Sequence, residues 1–172
     1  MVEQDRIYQI ELNTISASLA GLSSKLAQFQ RKRFPEMNIP LNKASISIGK
    51  SFEQAISLYK QEYNLEASAS IGILFVIQET ERNVYDQIHL QETINSNIPI
   101  VRKGLRDPSC FEVDLEGRLI CDSLEIGLVY YRAGYSPTEY ETPSFWTSRE
   151  VLESSRAIKC PDIASHLAGL KK

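Results

Sequence analysis

A chain of 172 residues with 42% hydrophobic side chains has the apolar material for one core and the length of one domain, residues 1–172. Its Lys and Arg are spread along a sequence of net charge −3, so no basic stripe points to nucleic acid, and the apolar run at 71–77, broken by Gly72, is far too short to cross a membrane. No signal peptide opens the chain, and the three cysteines, Cys110, Cys121 and Cys160, have no CxxC spacing, so the expectation is a soluble cytoplasmic protein with free thiols.

Taken in order, Tyr8 to Thr14 alternates as a strand does. Gln9, Glu11 and Asn13 would share one face and Tyr8, Ile10 and Leu12 the other. A carboxylate and a carboxamide two residues apart suit a hard cation such as Mg²⁺, although a solvated edge strand gives the same pattern and is the favoured reading of this stretch alone. Leu19 to Phe34 reads as a helix with Leu22, Leu26 and Phe29 at helical spacing, closed by Arg31–Arg33 and Pro35. A loop follows to Ser45, and Ser47 to Tyr63 is a second helix with Phe52, Ile56 and Tyr59 on one side.

Ser70 to Gln78 is a continuous apolar run, the pattern of a parallel strand covered on both faces. A helix over Arg82 to Ser96 and a strand at Ile98 to Arg102 complete a βαβ unit. Phe111 to Leu115 and Leu119 to Cys121 flank Glu116-Gly117 as a β-hairpin, and Ile126 to Tyr131 is a further strand. A helix near Ser148 to Ile158 and a last helical piece after Cys160-Pro161 end the chain. The expected fold is therefore α/β: a largely parallel sheet with flanking helices plus a β-hairpin.

Ligands of open α/β sheets sit beyond the carboxyl ends of the strands, and three strands here run out into polar residues. The first leads to Glu11, Asn13, Ser16 and Ser18; the second to Glu79–Asn83; the third to Arg132, Gly134 and Tyr135. Arg132 can grip a carboxylate with its planar fork, Gly134 lets backbone approach a ligand, Tyr135 adds a hydroxyl, Glu81 suits an ammonium group, and Asn83 and Gln87 can each donate and accept. Any one of these groups alone reads as a helix cap or a surface charge; the three together read as a site for a zwitterionic, amino-acid-like molecule. His89 and His166 lack a third ligand at metal spacing, no nucleophile has a visible base, and neither GxGxxG nor GxxxxGK[ST] occurs. Trp146 and the tyrosines at 130, 131, 135 and 140 read as core and lining.

Four runs in fixed order, QIELNTISASLAGL at 9–22, QETERNVYDQ at 78–87, VYYRAGYSPTEY at 129–140 and KCPDIASHLAGLKK at 159–172, resemble the eukaryotic-type glutathione synthetases. The resemblance implies the substrate-binding region of an ATP-grasp ligase that joins γ-glutamylcysteine to glycine. ATP would phosphorylate the cysteinyl carboxylate, the glycine amine would attack the acyl phosphate, and Mg²⁺ would neutralise the phosphates. Carried over by motif, Glu11 and Asn13 look like magnesium ligands, with Glu11 also at the nucleotide. Ile15, Ser16, Ala17 and Ser18 look like a first set of dipeptide contacts, Glu81, Arg82, Asn83 and Gln87 a second, and Arg132, Ala133, Gly134 and Tyr135 a third. Lys171 matches a nucleotide-binding lysine. Ala133 stands where the animal pattern has Asp, and Leu170 where Thr is usual.

The resemblance further implies a homodimer, and a chain that begins and ends inside a longer protein, so that these residues alone would not make glutathione. The other reading is a non-catalytic dipeptide-binding or assembly module from a truncated paralogue.

Overall fold

The computed structural model describes residues 2–3, 6–9, 13–14 and 18–168. In chain order the elements are β1 (Val2–Glu3), β2 (Arg6–Ile7), α1 (Ala20–Arg33), α2 (Ala44–Glu62), β3 (Ile71–Val76), α3 (Val84–Gln91), β4 (Ile100–Lys103), β5 (Glu112–Val113), β6 (Leu119–Cys121), β7 (Leu124–Tyr131), α4 (Pro143–Ser154), β8 (Ile158–Cys160) and α5 (Ile163–Ala168). β1 and β2 form a small antiparallel pair.

The main sheet has six strands in the order β4-β3-β7-β6-β5, with β8 also on β7. β4, β7 and β8 join the β3 system in parallel, and β6 and β5 add an antiparallel hairpin. The α/β expectation therefore holds, as does the βαβ unit β3-α3-β4. β3 is buried along its whole length because the pleat sends alternate residues to two covered faces. Ile71, Ile73 and Phe75 pack with Phe52, Ile56 and Tyr59 of α2 and with Leu90 of α3. Leu74 and Val76 pack with Leu119, Val129, Phe145 and Leu152 on the α4 side. Between Gly72 and Ile73 the pairing skips Gly127, a bulge that moves the rest of β7 by one residue and so exchanges its faces.

Far from the carboxyl ends, α2 is tethered to the sheet by a closed polar group. Tyr59 Oη donates to Glu125 Oε1 at 2.6 Å, and Arg156 donates to both, through Nε to Tyr59 Oη and through Nη2 to Glu125 Oε1, at 2.8 Å each.

Several expected elements change. Of the strand expected over Tyr8 to Thr14, residues 8, 9, 13 and 14 lie in no strand, and 10–12 lie outside the described residues. α3 is shorter than Arg82 to Ser96, with Asn83 as its N-cap residue. The helix expected at Ser148 to Ile158 starts earlier, at Pro143, which occupies the first turn after Thr142, and stops at Ser154. Ile158 then belongs to β8, parallel to β7.

The stripe Leu22, Leu26 and Phe29 of α1 is exposed, at 38%, 54% and 62%. The buried side of α1 is Gly21 and Ser24. A β-carbon on Gly21 would fall 2.6 Å from the Asp86 carbonyl oxygen, so glycine is what lets α1 lie so close to α3. No helix among the described residues is long and apolar enough to cross a membrane.

Candidate functional site

The polar residues gather at the carboxyl end of the sheet, on the side that α3 covers. β7 alternates outward through Tyr130, Tyr131, Arg132 and Ala133, which sends Arg132 to the same side as Tyr130 and sends Ala133 to the α4 side. Arg132 is 7% exposed and its guanidinium lies over the Tyr130 ring, 5.9 Å from the centroid. Burial raises the pKa of the Tyr130 phenol, against the opposing pull of Arg132. Asp86, 4% exposed, faces the same guanidinium, with Oδ2 4.0 Å from Arg132 Nη2.

Asp86 has a second task. Its two oxygens accept the backbone N–H groups of Leu19 and Leu22, at 2.9 and 3.0 Å, at the N-terminus of α1. These are orphan donors of a helix start, and Leu19, the N-cap residue and the first of the two, takes the left-handed conformation with φ 68°. One buried carboxylate therefore fixes the N-terminus of α1 and faces Arg132.

Next to it on α3, Gln87 is 1% exposed. Its Nε2 donates to Glu81 Oε2 at 2.5 Å, and its Oε1 accepts from Arg102 Nη2 at 2.5 Å. Glu81 Oε1 accepts the backbone N–H of Asn83 at 2.7 Å. The half-buried Glu81 carboxylate is thus held by α3 and its N-cap rather than standing open as a bare anion. Arg82 and Asn83 are exposed on the loop between β3 and α3.

Ala133 and Gly134 lie on the α4 side and line a cavity of about 230 Å³. Its floor is Ile77, Leu105, Ala133 and Phe145, and its polar walls include Gln78, Glu79, Thr80 and Glu139. Gly134 turns the chain with φ +81°, and its carbonyl accepts from Tyr140 Oη at 2.8 Å and Arg149 Nη1 at 3.1 Å. Arg149 in turn lies over the Tyr131 ring at 3.9 Å and donates through Nε to Glu153 Oε1 at 2.8 Å. Glu139 joins the two strand-end loops: Oε2 accepts the N–H groups of Tyr135 and Ser136, and Oε1 accepts from Gln78 Nε2. Tyr135 is half-buried at this junction.

The structure thus brings Glu81, Gln87 and Arg132 around α3 and sets Ala133 and Gly134 on the other side of the strand end. Ser18 and Asn13 are exposed. Glu11, Ile15, Ser16, Ala17 and Lys171 lie outside the described residues. Thr14 Oγ1 donates to the Ser165 carbonyl at 2.7 Å, which places Thr14 against α5. For magnesium, the described residues supply Asn13 alone of the expected pair, and one oxygen donor does not make a Mg²⁺ site.

Three residues that build the site were not among the expected ones. Asp86 shares the buried polar side of α3 with the expected Gln87, and a carboxylate amid apolar helix positions is its signal. Arg102 could have been placed by alternation along its strand beside Phe75. Nothing in the local sequence marks Arg149.

A family model described as eukaryotic glutathione synthase matches residues 71–168. The chain is 38% identical to the glutathione synthetase of Dictyostelium discoideum, over 99% of this chain and 38% of that protein. It is likewise 38% identical to the glutathione synthetase of Homo sapiens, over 95% of this chain and 35% of that one. A relative named as chloroplastic glutathione synthetase, from Solanum lycopersicum, is 34% identical over 96% of this chain and 31% of its own length. The chain thus spans less than two fifths of these relatives. In fold it is similar to a glutathione synthetase-like effector of Globodera pallida in its apo form, with a TM-score of 0.71, 14% identity, and coverage of 94% of this chain and 38% of that one. With more than half of its residues inside the matched region, this chain belongs to the eukaryotic glutathione synthase family.

Proposed function

We propose that the protein, at its native length, is an ATP-dependent ligase that joins γ-glutamylcysteine to glycine, and that residues 1–172 act as one domain holding the dipeptide. A cysteinyl carboxylate oxygen attacks the γ-phosphorus of ATP and ADP leaves. The glycine amine then attacks the acyl carbon, loses a proton, and phosphate departs with the electrons of the broken C–O bond. Such chemistry needs positioning and charge stabilisation rather than a protein nucleophile. Mg²⁺, held in part by Glu11 and Asn13, would supply charge neutralisation at the phosphates; Glu11 and Lys171 would meet the nucleotide. The setting is a cytoplasmic homodimer.

The observation that carries this reading is the buried Arg132 at the end of β7, fixed over Tyr130 and beside Asp86, in a chain whose relatives are named glutathione synthetases. A guanidinium so oriented is pre-formed for a carboxylate of the dipeptide. Asp86 ties Arg132 to the N-terminus of α1, the residues that follow Ile15, Ser16, Ala17 and Ser18 in sequence, and Gln87 with Glu81 offers polar groups from α3. Ser18, Arg82, Asn83 and Tyr135 complete the rim, with Ala133 and Gly134 shaping the turn.

The test is purification at native length and incubation with ATP, γ-glutamylcysteine and glycine. ATP-dependent formation of glutathione with release of one ADP and one phosphate is the expected result. Dipeptide binding without turnover would favour the non-catalytic module instead.

A further inference from the structure

Arg102 is the unassigned charge of this site. It sits on β4, in register with Phe75 on β3, and its guanidinium lies over the Phe75 ring at 6.0 Å from the centroid. Nη2 donates to Gln87 Oε1 at 2.5 Å. Nη1 is buried and has no hydrogen-bond partner among the described residues. Burial also lowers the pKa of the guanidinium, while the charge of Glu81 pulls it back up. A half-buried cation with an unpaired buried donor costs stability, and an apolar side chain lying on Phe75 would avoid that cost.

What the cation provides is orientation. A guanidinium only donates and a carboxylate only accepts. Gln87, 1% exposed, is wedged between one of each, so its oxygen must face Arg102 and its nitrogen must face Glu81. The amide cannot flip without opposing donor to donor and acceptor to acceptor. Arg102 and Glu81 thereby form an ion pair relayed through one amide, which holds Glu81 at the mouth of the loop between β3 and α3.

We propose that Arg102 is a positioning residue of the γ-glutamylcysteine site, fixing the Gln87 amide and through it the Glu81 carboxylate in the one orientation that meets the dipeptide. This rests on the function proposed above. Arg102 does not touch the reacting atoms; it acts through Gln87.

The test uses Arg102→Met and Arg102→Lys in the protein at native length. Arg102→Met should raise KM for γ-glutamylcysteine by about tenfold or more. Its KM for ATP should stay unchanged, and its thermal midpoint should stay at or above that of the wild type. Arg102→Lys, which can still donate to Gln87 Oε1, should recover part of the loss. An unchanged dipeptide KM in Arg102→Met, or equal losses for both substrates together with a lowered midpoint, would overturn the proposal.

The same variants are read by the side-chain ¹⁵N–¹H₂ resonances of Gln87, which need no activity. In Arg102→Met these should move and lose the separation imposed by Glu81. If the wild type forms no glutathione, the functional reading fails on that result, while an unmoved Gln87 signal would by itself sink the positioning role.

Discussion

At the scale of single residues, the site is made of groups already oriented by their neighbours, with acceptor sites left over. Glu81, whose charge suits an ammonium group, is oriented by one hydrogen bond to each oxygen, from Gln87 Nε2 and from the Asn83 N–H. Gly134 is the other instructive case. Sequence reading gave it a role in letting backbone approach a ligand; the structure gives it a positive φ and a carbonyl clamped by Tyr140 and Arg149. An added β-carbon would lie 3.0 Å from Leu105 Cδ1 and 3.1 Å from Tyr140 Oη. Gly134→Ala should therefore destabilise the fold by about 1–3 kcal/mol through backbone strain. Urea denaturation of the two proteins measures it, and a variant as stable as the wild type would mean that the turn has no such strain.

At the scale of elements, what could be read from sequence depended on which residues cover which face. α2 was legible because Phe52, Ile56 and Tyr59 recur at helical spacing and all three are buried. β3 was legible because an unbroken apolar run fits a strand covered on both sides. α1 was legible as a helix but not in its packing. Periodicity reveals an apolar stripe and not what lies against it, and here small residues, Gly21 and Ser24, make the contact. The buried side of α3 is hidden from periodicity for the opposite reason: it holds Asp86 and Gln87, polar groups satisfied by tertiary partners on β4, on α1 and just past β7. β8 is three residues long, too short for alternation to register, and its place is set by pairing with β7. The strand ends did show where polar residues would collect. They did not show that Arg132 and Ala133 part to opposite sides of the sheet.

At the scale of the molecule, both faces of one sheet bury phenols and thiols, and burial keeps these groups protonated. Cys121, 1% exposed, has its thiol pushed up to about 11, and Cys160, Tyr59, Tyr130, Tyr131 and Tyr140 are all shifted upward by burial. In the unfolded chain thiols ionise near pH 8.5 and phenols near pH 10. A group whose pKa is higher in the fold gives stability that is complete below its unfolded pKa and is lost as pH climbs towards the folded one. The urea midpoint should thus fall steadily from about pH 8.5 towards pH 11 and beyond, with Cys121 alone accounting for about 2–3 kcal/mol. A midpoint constant over that range would contradict the burial of these groups.

The proposed function has the carboxyl end of this sheet hold γ-glutamylcysteine through Arg132. Its most direct test is steady-state kinetics of the protein at native length, comparing wild type with Arg132→Ala for each substrate in turn. In Arg132→Ala the KM for γ-glutamylcysteine should rise by at least about tenfold, the loss of a charge-assisted contact, with the KM for ATP nearly unchanged. Equal losses for ATP and dipeptide, or none for either, would contradict it.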